Sequence, residues 1–415
     1  MTELQEKCTL AKDASYKMAS IGTEVKNNAL EAIAAALCER SGEIIAANKE
    51  DIENALNNGI RPAMVDRLRL TEERIEDIAE GVRQVKALND PIGEVIKMWT
   101  RPNGLEIGQK RVPMGVIAII YEARPNVTVD AAALCLKTSN ACVLRGGSEA
   151  IRSNIAIMKI MQEAAYGAGI PEGALNIITD TSRETAAQLM KMNGYIDMLI
   201  PRGGKGLIKS VVENATVPVV ETAAGNCHVY VDGDADLDMA VKIVMNAKVQ
   251  RPSVCNAAET LLVDKRIAER FIPHIFDELK KKNVEIRADK LSKSFYPDVN
   301  DASEEDYYTE YNDYIISVKT VDGVDEAIEH INKYNTKHSE AIITDSSENS
   351  QKFLREVDAA AVYVNASTRF TDGFEFGFGA EIGISTQKMH ARGPMGLEAL
   401  TSVKYIVYGN GQIRE

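Results

Sequence analysis

The sequence predicts an α/β protein with two parallel-sheet domains and a small β arm. From about residue 114 to 228, buried-strand patterns alternate with helical patterns, and a second alternating block runs from about 229 to 390. Such alternation is typical of parallel sheets with helices on both faces. The arm is predicted from an Asn-Gly pair between two strand-like runs and from a strand-like run near the chain end.

The first ninety or so residues are predicted to be helical. Residues 27–56 and 71–88 carry apolar side chains at helical spacing. Thr71 is expected to cap the second of these patterns, since its hydroxyl can accept a hydrogen bond from the first turn. Glu72 and Glu73 suit the positive end of that helix.

The arm begins with a predicted hairpin at residues 94–112. Asn103-Gly104 favours a type I′ turn, which needs positive φ at both residues. This hairpin and the terminal residues 394–415 lie outside the α/β alternation and need strands to pair with. We expect them to form an oligomerisation arm.

The first α/β block places glycines at two strand ends. Its strand-like runs are GVIAIIYE, ACVLRGG, LNIITD, IDMLIP and VPVVETA. Glycines open a helix in RGGSEA (145–150) and PRGGKG (201–206), but neither is the G-x-G-x-x-G dinucleotide motif. Each could bring a phosphate to a helix N-terminus, with Arg145, Arg202 or Lys205 adding charge, or could be only a tight turn.

The second block starts with a helical pattern at 236–250 that Pro252 stops, followed by the strand ETLLVD. The acidic residues 297–312 are predicted to be an exposed connection. YIISVKTV, SEAIITD and AAAVYVNAS supply further strands.

Composition excludes several classes of function. The formal net charge of −13 argues against nucleic-acid binding, which depends on concentrated Lys and Arg. The charged N-terminus lacks the apolar core of a signal peptide, and the apolar runs are far too short for a membrane span. We therefore expect a soluble cytoplasmic protein. Its six cysteines show no zinc-like spacing, so free thiols and no structural metal are expected.

Cys255 differs from the other cysteines because it lies in a loop between a stopped helix and a strand. Catalytic residues often occupy such loops, and Arg251 could favour the reactive thiolate. The neighbouring helix end is a C-terminus, however, and its dipole disfavours an anion. The local sequence alone leaves both a catalytic and a structural interpretation open.

Distant motifs together resemble the aldehyde dehydrogenase superfamily. They are YEARPNVT, GNCHVYVD, RPSVCNA, FEFGFGAEIGIS and MHARGPMGLEALT. All of them except FEFGFGAEIGIS also resemble the γ-glutamyl phosphate reductase branch of the superfamily. The resemblance implies two Rossmann-like domains. Residues 1–93 and 113–228 would bind NADPH, residues 229–393 would carry catalytic Cys255, and residues 94–112 and 394–415 would form the oligomerisation arm.

The resemblance also implies a reaction, namely the reduction of L-glutamyl 5-phosphate to L-glutamate 5-semialdehyde. This is the second step of proline biosynthesis from glutamate, with NADPH as the reductant. Cys255 would attack the acyl phosphate, release phosphate and form a thioester. Asn126 matches the asparagine that stabilises the carbonyl oxyanion in this superfamily.

Cofactor residues are also implied by the resemblance. Arg145 replaces a lysine of the superfamily, which suits the 2′-phosphate of NADPH. Glu310 matches a ribose-binding glutamate, with a solvated acid as the alternative. Glu221 lies one residue out of register with the general base of hydrolytic relatives, and we group it with the cofactor residues. The predicted cofactor-binding residues are Arg145, Gly146, Gly147, Ser148, Gly203, Gly204, Lys205, Glu221 and Glu310.

The implied substrate carries two anionic groups, so cations should converge on it. Arg124, Arg251 and Arg369 are the candidates, because guanidinium groups suit carboxylates and phosphates. His228 is a further substrate-binding candidate, although a lone histidine is more often structural. His390 is a weaker one.

Partners and alternatives complete the prediction. We expect a homo-oligomer, dimer or tetramer, and a glutamate 5-kinase as a partner that supplies the acyl phosphate. A CoA-acylating aldehyde dehydrogenase of the same fold is the alternative enzyme, and phosphate against CoA dependence would separate the two. A non-catalytic scaffold is the alternative outside enzymes, but the joint presence of Cys255 and Asn126 argues against it.

Overall fold

The computed structural model describes residues 1–60, 62–122, 124–222 and 224–414, and only the backbone of residues 62–64. The chain forms two compact units. The first comprises Met1–Thr222, Gly377–Gly383 and Met395–Glu415, and the second comprises Ala223–Phe376 and Ile384–Pro394.

Helices occupy the predicted ranges 27–56, 71–88 and 236–250, as well as other parts of the described chain. They are α1 Glu3–Met18, α2 Thr23–Glu39, α3 Ser41–Asn57, α4 Pro62–Leu68, α5 Glu72–Ala87, α6 Pro125–Lys137, α7 Ile151–Gly167, α8 Arg183–Leu189, α9 Lys205–Asn214, α10 Leu237–Val249, α11 Lys265–Lys281, α12 Lys290–Phe295, α13 Gly323–Tyr334 and α14 Ser347–Glu356. Thr71 caps α5 as predicted, because its side chain accepts a hydrogen bond from the backbone of Arg74. Short 3₁₀ helices cover Ser148–Ala150, Glu305–Tyr308, Thr368–Phe370 and Leu397–Leu400.

The described strands form four sheets. The strands are β1 Val95–Thr100, β2 Glu106–Pro113, β3 Val116–Tyr121, β4 Ala141–Arg145, β5 Leu175–Ile177, β6 Met198–Arg202, β7 Cys227–Val231, β8 Ala258–Asp264, β9 Glu285–Ala288, β10 Asn300–Asp301, β11 Ile315–Val321, β12 Ser339–Ile343, β13 Ala361–Val364, β14 Ile384–Ser385, β15 Gly393–Pro394 and β16 Thr401–Tyr408. The sheet orders are β5-β4-β3-β6, β10-β9-β11-β8-β7-β12-β13, β1-β2-β16 and β14-β15.

The first unit contains the four-stranded sheet, and all its strands are parallel. β3 lies inside it and is buried along its whole length, as its VIAIIY sequence predicts. Alternate β3 side chains, Val116, Ala118 and Ile120, pack in a core that also includes Cys8 of α1. The three-stranded antiparallel sheet β1-β2-β16 belongs to the same unit.

The turn between β1 and β2 differs from the predicted type I′ turn. Only Gly104 of the Asn-Gly pair has positive φ, at +84°. Gly104 N–H donates to the Arg101 carbonyl, and Arg101 N–H donates to the Leu105 carbonyl. Pro102 explains the difference, because its ring fixes a negative φ that suits the second position of a type I turn followed by a left-handed glycine.

The second unit contains the seven-stranded parallel sheet. Val229 and Val231 of β7 face a core shared with α10 and α11. Tyr230, which points to the opposite face, packs in a core with residues of α13 and α14. Helices therefore cover both faces, and the predicted α/β fold with parallel sheets is confirmed.

Two segments differ from the sequence prediction. VPVVETA forms only an isolated bridge from Val219 to Leu199, so the predicted strand is wrong. The acidic stretch 297–312 is not simply an exposed connection, since Asp306 and Tyr307 are buried. The functional roles assigned to the predicted domain ranges stay predictions.

Candidate active site

The carboxyl edge of the four-stranded sheet brings several predicted residues together. In the strand register, Ile120 of β3 pairs with Arg145 of β4, and Tyr121 pairs with Arg202 of β6. Because parallel strands end at one edge, both arginines lie where the helices that follow begin. Ligands of parallel α/β sheets bind at this edge.

Asn126 lies in the first turn of α6, directly after its N-terminal proline. Its side chain is exposed, and its Nδ2 donates to Oδ2 of Asp130 at 3.0 Å. Burial raises the pKa of Asp130 to about 6, although the Asn126 hydrogen bond and the charge of Arg202 act in the opposite direction. The sequence analysis missed Asp130, and its signal was the four-residue spacing that puts two side chains on one helical face.

Arg145 points into the loop that follows β5. Its Nη2 donates to the carbonyls of Thr181 and Ser182, and Nε has no hydrogen-bond partner among the described residues. Burial lowers the pKa of Arg145, while Asp180 and Glu149 act to raise it. One guanidinium nitrogen therefore remains for a ligand.

The predicted glycines allow close packing at this edge. A Cβ on Gly146 would overlap the side-chain amide of Asn154, and a Cβ on Gly203 would overlap the carboxylate of Glu122. The Glu122 carboxylate also accepts the N–H of Gly204, which precedes α9, at 2.9 Å. Sequence analysis missed Glu122, which partly occupies the helix N-terminus predicted to receive phosphate.

The remaining candidates of the first unit differ in exposure. Arg124, Ser148 and Lys205 are exposed, whereas Gly147 is buried and Glu221 is half-buried. Lys205 is the first residue of α9, and Arg124 precedes α6.

In the second unit, Cys255 lies in the loop between α10 and β8 and is partly exposed. Its carbonyl accepts a hydrogen bond from the thiol of Cys227 at 3.2 Å. Burial raises the pKa of Cys227 far above its ordinary value, so Cys227 stays protonated and able to donate. A Cβ on Gly225 would overlap the Cys255 backbone, so only glycine fits there.

Arg369 holds the other side of the Cys255 loop. It donates through Nε to the Gln250 side chain at 3.0 Å and through Nη1 to the side chain of Asn256. Asn256 in turn donates to the carbonyls of Arg369 and Thr371. Burial lowers the pKa of Arg369, and the negative charge of Cys255 opposes this shift. Arg369 is therefore a cation bound to both flanks of the Cys255 loop, at Gln250 and Asn256.

A buried ion pair closes the base of the same loop. Lys248, near the end of α10, contacts Glu259, near the start of β8, at 2.6 Å, and neither side chain is exposed to solvent. Burial raises the pKa of Glu259 to about 7, while Lys248 acts to lower it. The pair joins the two flanks of the Cys255 loop, and the sequence analysis did not identify it.

The other predicted residues of the second unit have varied surroundings. Glu310 accepts the N–H of Gly225 through Oε1 at 2.7 Å, while Arg251 is exposed. His228 is fully buried, and its Nδ1 lies 3.0 Å from Glu340. A substrate-binding role for His228 does not fit this burial, because its ring packs against His330 and Glu340 inside the unit.

Among the described residues, no group of three or more His, Cys, Asp or Glu side chains could hold a metal ion. In the same part of the chain, every helix is too short or too polar to cross a membrane.

Comparison with known proteins agrees with this architecture. The profile of the aldehyde dehydrogenase family matches residues 2–313 and 307–406. The chain belongs to the aldehyde dehydrogenase family. This is a family of oxidoreductases, and the chain is similar to some of its members over their full length.

Two curated relatives are γ-glutamyl phosphate reductases. Those of Heliobacterium modesticaldum and Caldicellulosiruptor bescii are both 61% identical to this chain and match all of it, covering 99% and 100% of their own lengths. The crystal structure of the γ-glutamyl phosphate reductase of Thermotoga maritima superposes with a TM-score of 0.99 at 50% identity, over the whole of both chains. An acetylating aldehyde dehydrogenase of Geobacillus thermoglucosidasius, 19% identical with a TM-score of 0.70 over 100% of this chain and 98% of its own, shares the fold.

Proposed function

We propose that this member of the aldehyde dehydrogenase family reduces L-glutamyl 5-phosphate to L-glutamate 5-semialdehyde and releases phosphate. The observation that carries the proposal is the position of Cys255, a partly exposed residue on a loop that Gly225, Asn256 and Arg369 hold in place. The full-length similarity to γ-glutamyl phosphate reductases supports the same activity.

Cys255 supplies the nucleophile of this reaction. Its thiolate attacks the acyl carbon, a C–S bond forms, the C–O bond to phosphate breaks, and phosphate leaves with the bonding electrons. Hydride then adds to the thioester carbon, and the resulting oxyanion expels the Cys255 thiolate to give the aldehyde. Arg369 favours the thiolate at the first and last steps, which offsets the unfavourable end of α10.

Asn126 stabilises negative charge on the acyl oxygen. Its amide carries two N–H groups, and Asp130 accepts only one of them. In comparable acyl-transfer chemistry, an amide donor of this kind contributes about 3 kcal/mol to the transition state.

NADPH supplies the hydride when it is bound. The carboxyl edge of the four-stranded sheet fits a dinucleotide, because Gly146 and Gly203 keep the strand ends tight and Arg145 retains an unpartnered Nε. A guanidinium beside buried carbonyls suits the 2′-phosphate that distinguishes NADPH from NADH. Glu310 contributes a carboxylate for a ribose hydroxyl, with Gly225 held by its other oxygen.

The substrate anions are assigned to cations near the reacting groups. Arg124 and Arg251 are exposed, and Arg369 makes hydrogen bonds to Gln250 and Asn256 through two of its nitrogens. We therefore assign Arg369 chiefly to the Cys255 loop and the two exposed arginines to the carboxylate and phosphate.

The proposal also covers how the protein forms oligomers and which enzyme supplies its substrate. The sheet β1-β2-β16 exposes apolar side chains and serves as an oligomerisation surface. A cytoplasmic glutamate 5-kinase, which makes the acyl phosphate, is the expected source of substrate.

A Cys255→Ser variant tests the proposal. The assay follows the reduction of NADP⁺ with glutamate semialdehyde, with phosphate, with CoA and without either. The wild-type protein should require phosphate, and Cys255→Ser should lose at least about 1000-fold in turnover, because serine is a far weaker nucleophile. NADP⁺ binding by fluorescence titration should remain unchanged.

Cys38→Ser is the matched control, since Cys38 is also partly exposed but lies in α2. It should retain full activity. Turnover of Cys255→Ser near the wild-type rate contradicts the thioester route, and dependence on CoA instead of phosphate identifies the alternative acylating enzyme.

A further inference from the structure

Asp130 lies one helical turn after Asn126 in α6, on the face that Asn126 occupies. The helix starts at the carboxyl edge of the four-stranded sheet, directly after β3. Asp130 is thus placed beside the amide assigned to the acyl oxygen.

Few groups among the described residues offset the negative charge of the Asp130 carboxylate. The side chain is half-buried, and its one hydrogen bond among the described residues comes from Asn126 Nδ2 to Oδ2. Asp130 has no salt-bridge partner in the described part of the chain, and Arg202 acts on it only through longer-range electrostatics. Its raised pKa, about 6, reflects this loss of water without a paired cation.

The substrate brings such a cation. L-Glutamyl 5-phosphate carries an α-ammonium group, and two methylene groups separate the carbon that bears it from the reacting acyl carbon. The residues assigned to the substrate so far, Arg124 and Arg251, are cations and repel an ammonium group. A carboxylate is the side chain that recognises it by charge-assisted hydrogen bonds.

We propose that Asp130 binds the α-ammonium group of the substrate through its Oδ1, while Oδ2 holds the Asn126 amide. This inference rests on the proposed function and deepens it, since it assigns the residue that selects an amino acid over a plain carboxylic acid. One side chain then fixes both the substrate chain and the amide donor at the acyl oxygen.

A second explanation is that Asp130 only orients Asn126. Asp130→Asn separates the two explanations, because asparagine keeps an oxygen that can accept from Asn126 but has no charge for an ammonium group. A purely orienting residue affects all substrates alike, whereas an ammonium-binding residue affects only substrates that carry the amine.

The experiment compares two aldehydes in phosphate-dependent NADP⁺ reduction, L-glutamate 5-semialdehyde and 5-oxopentanoate, which has the same chain without the amine. The wild-type protein should prefer the amine-bearing aldehyde in kcat/KM. Asp130→Asn should reduce this preference about 30-fold or more, chiefly through a higher KM for glutamate semialdehyde. Its kcat/KM for 5-oxopentanoate should fall much less than its kcat/KM for glutamate semialdehyde.

Glu172→Gln is the matched control, because it removes one negative charge from an exposed position of the same unit. It should leave the preference unchanged. Thermal unfolding checks that each variant is folded, and Asp130→Ser replaces Asp130→Asn if the latter does not fold.

Two results overturn the inference alone. In the first, Asp130→Asn lowers kcat equally for both aldehydes, which indicates only an orienting role. In the second, the preference of Asp130→Asn for the amine-bearing aldehyde is the same as that of wild type. A wild-type protein that oxidises neither aldehyde with phosphate overturns the proposed function itself, and the inference with it.

Discussion

Gly225 runs directly beside the backbone of Cys255. A methyl group at this position would overlap the Cys255 carbonyl, and Glu310 fixes the Gly225 N–H from the other side. The nucleophile is therefore positioned by a close backbone contact as well as by its own loop.

We expect Gly225→Ala to displace the Cys255 backbone and lower kcat/KM by about 10- to 100-fold, because small displacements of a nucleophile slow its reaction strongly. The free energy of unfolding should fall by about 1–3 kcal/mol, as is usual when extra volume enters a packed site. Steady-state kinetics and urea unfolding measure the two effects.

Gly42→Ala is the control, since a Cβ on Gly42 meets nothing within 4 Å in α3. It should keep wild-type kinetics and be slightly more stable. Normal kinetics in Gly225→Ala would show that the Cys255 loop tolerates displacement.

At the residue scale, the sequence identified the reactive side chains better than it identified the residues that surround them. Motif resemblance pointed to Cys255 and Asn126, whose side chains are the unusual groups in their segments. Two of their supports, Cys227 and Arg369, act through contacts with residues far away in the chain. Such contacts leave little local signal, because any polar residue can occupy those sequence positions.

At the element scale, the acidic segment 297–312 is more ordered than its composition predicts. Asp306 accepts hydrogen bonds from Arg287 of β9, from Ser303 and from Tyr311. The carbonyl of Tyr307 accepts from Asn226, the residue directly before β7, so the segment is tied to the start of that strand. The sequence predicted exposure because it showed charge but not the partners of each charge.

Asp306 should make stability depend on pH. Burial alone would raise its pKa, but the hydrogen bonds from Ser303, Arg287 and Tyr311 lower it from 3.8 to about 2. A lowered pKa in the folded state means that ionised Asp306 stabilises the fold above about pH 4. This contribution, about 2 kcal/mol, should disappear as the pH falls towards 2.

Urea unfolding of wild type and Asp306→Asn between pH 2 and pH 6 measures this contribution. The difference between the two proteins should be largest above pH 4 and shrink at lower pH. Asp298→Asn is the control, because Asp298 is almost fully exposed, and its effect should be small throughout. A constant difference between wild type and Asp306→Asn contradicts the assigned pKa shift.

At the scale of the whole molecule, the sheet β1-β2-β16 leaves an apolar surface open. Val403, Tyr405 and Val407 alternate along β16 and therefore share one face, with exposed fractions of 42%, 60% and 55%. The ring of Trp99 contacts Tyr405 at a centroid distance of 6.3 Å. An exposed apolar face of this kind favours association with another chain.

We expect the double variant Val403→Lys/Val407→Lys to dissociate the oligomer, because lysines cannot be buried unpaired in an interface. Light scattering at micromolar concentration should report a lower mass than for wild type. Ser402→Lys, on the opposite face of β16, should leave the mass unchanged. A wild-type monomer at this concentration contradicts the oligomerisation surface.

The sequence by itself determined the α/β class, the main helices and strands, the hairpin and the family, because strong periodicity and motif chemistry act locally along the chain. Tertiary structure decided the loss of the VPVVETA strand and the burial of His228. It also decided which groups face Cys255 and Asn126. These features depend on burial and on hydrogen bonds between segments far apart in sequence. Local sequence patterns do not show which distant residues become such partners.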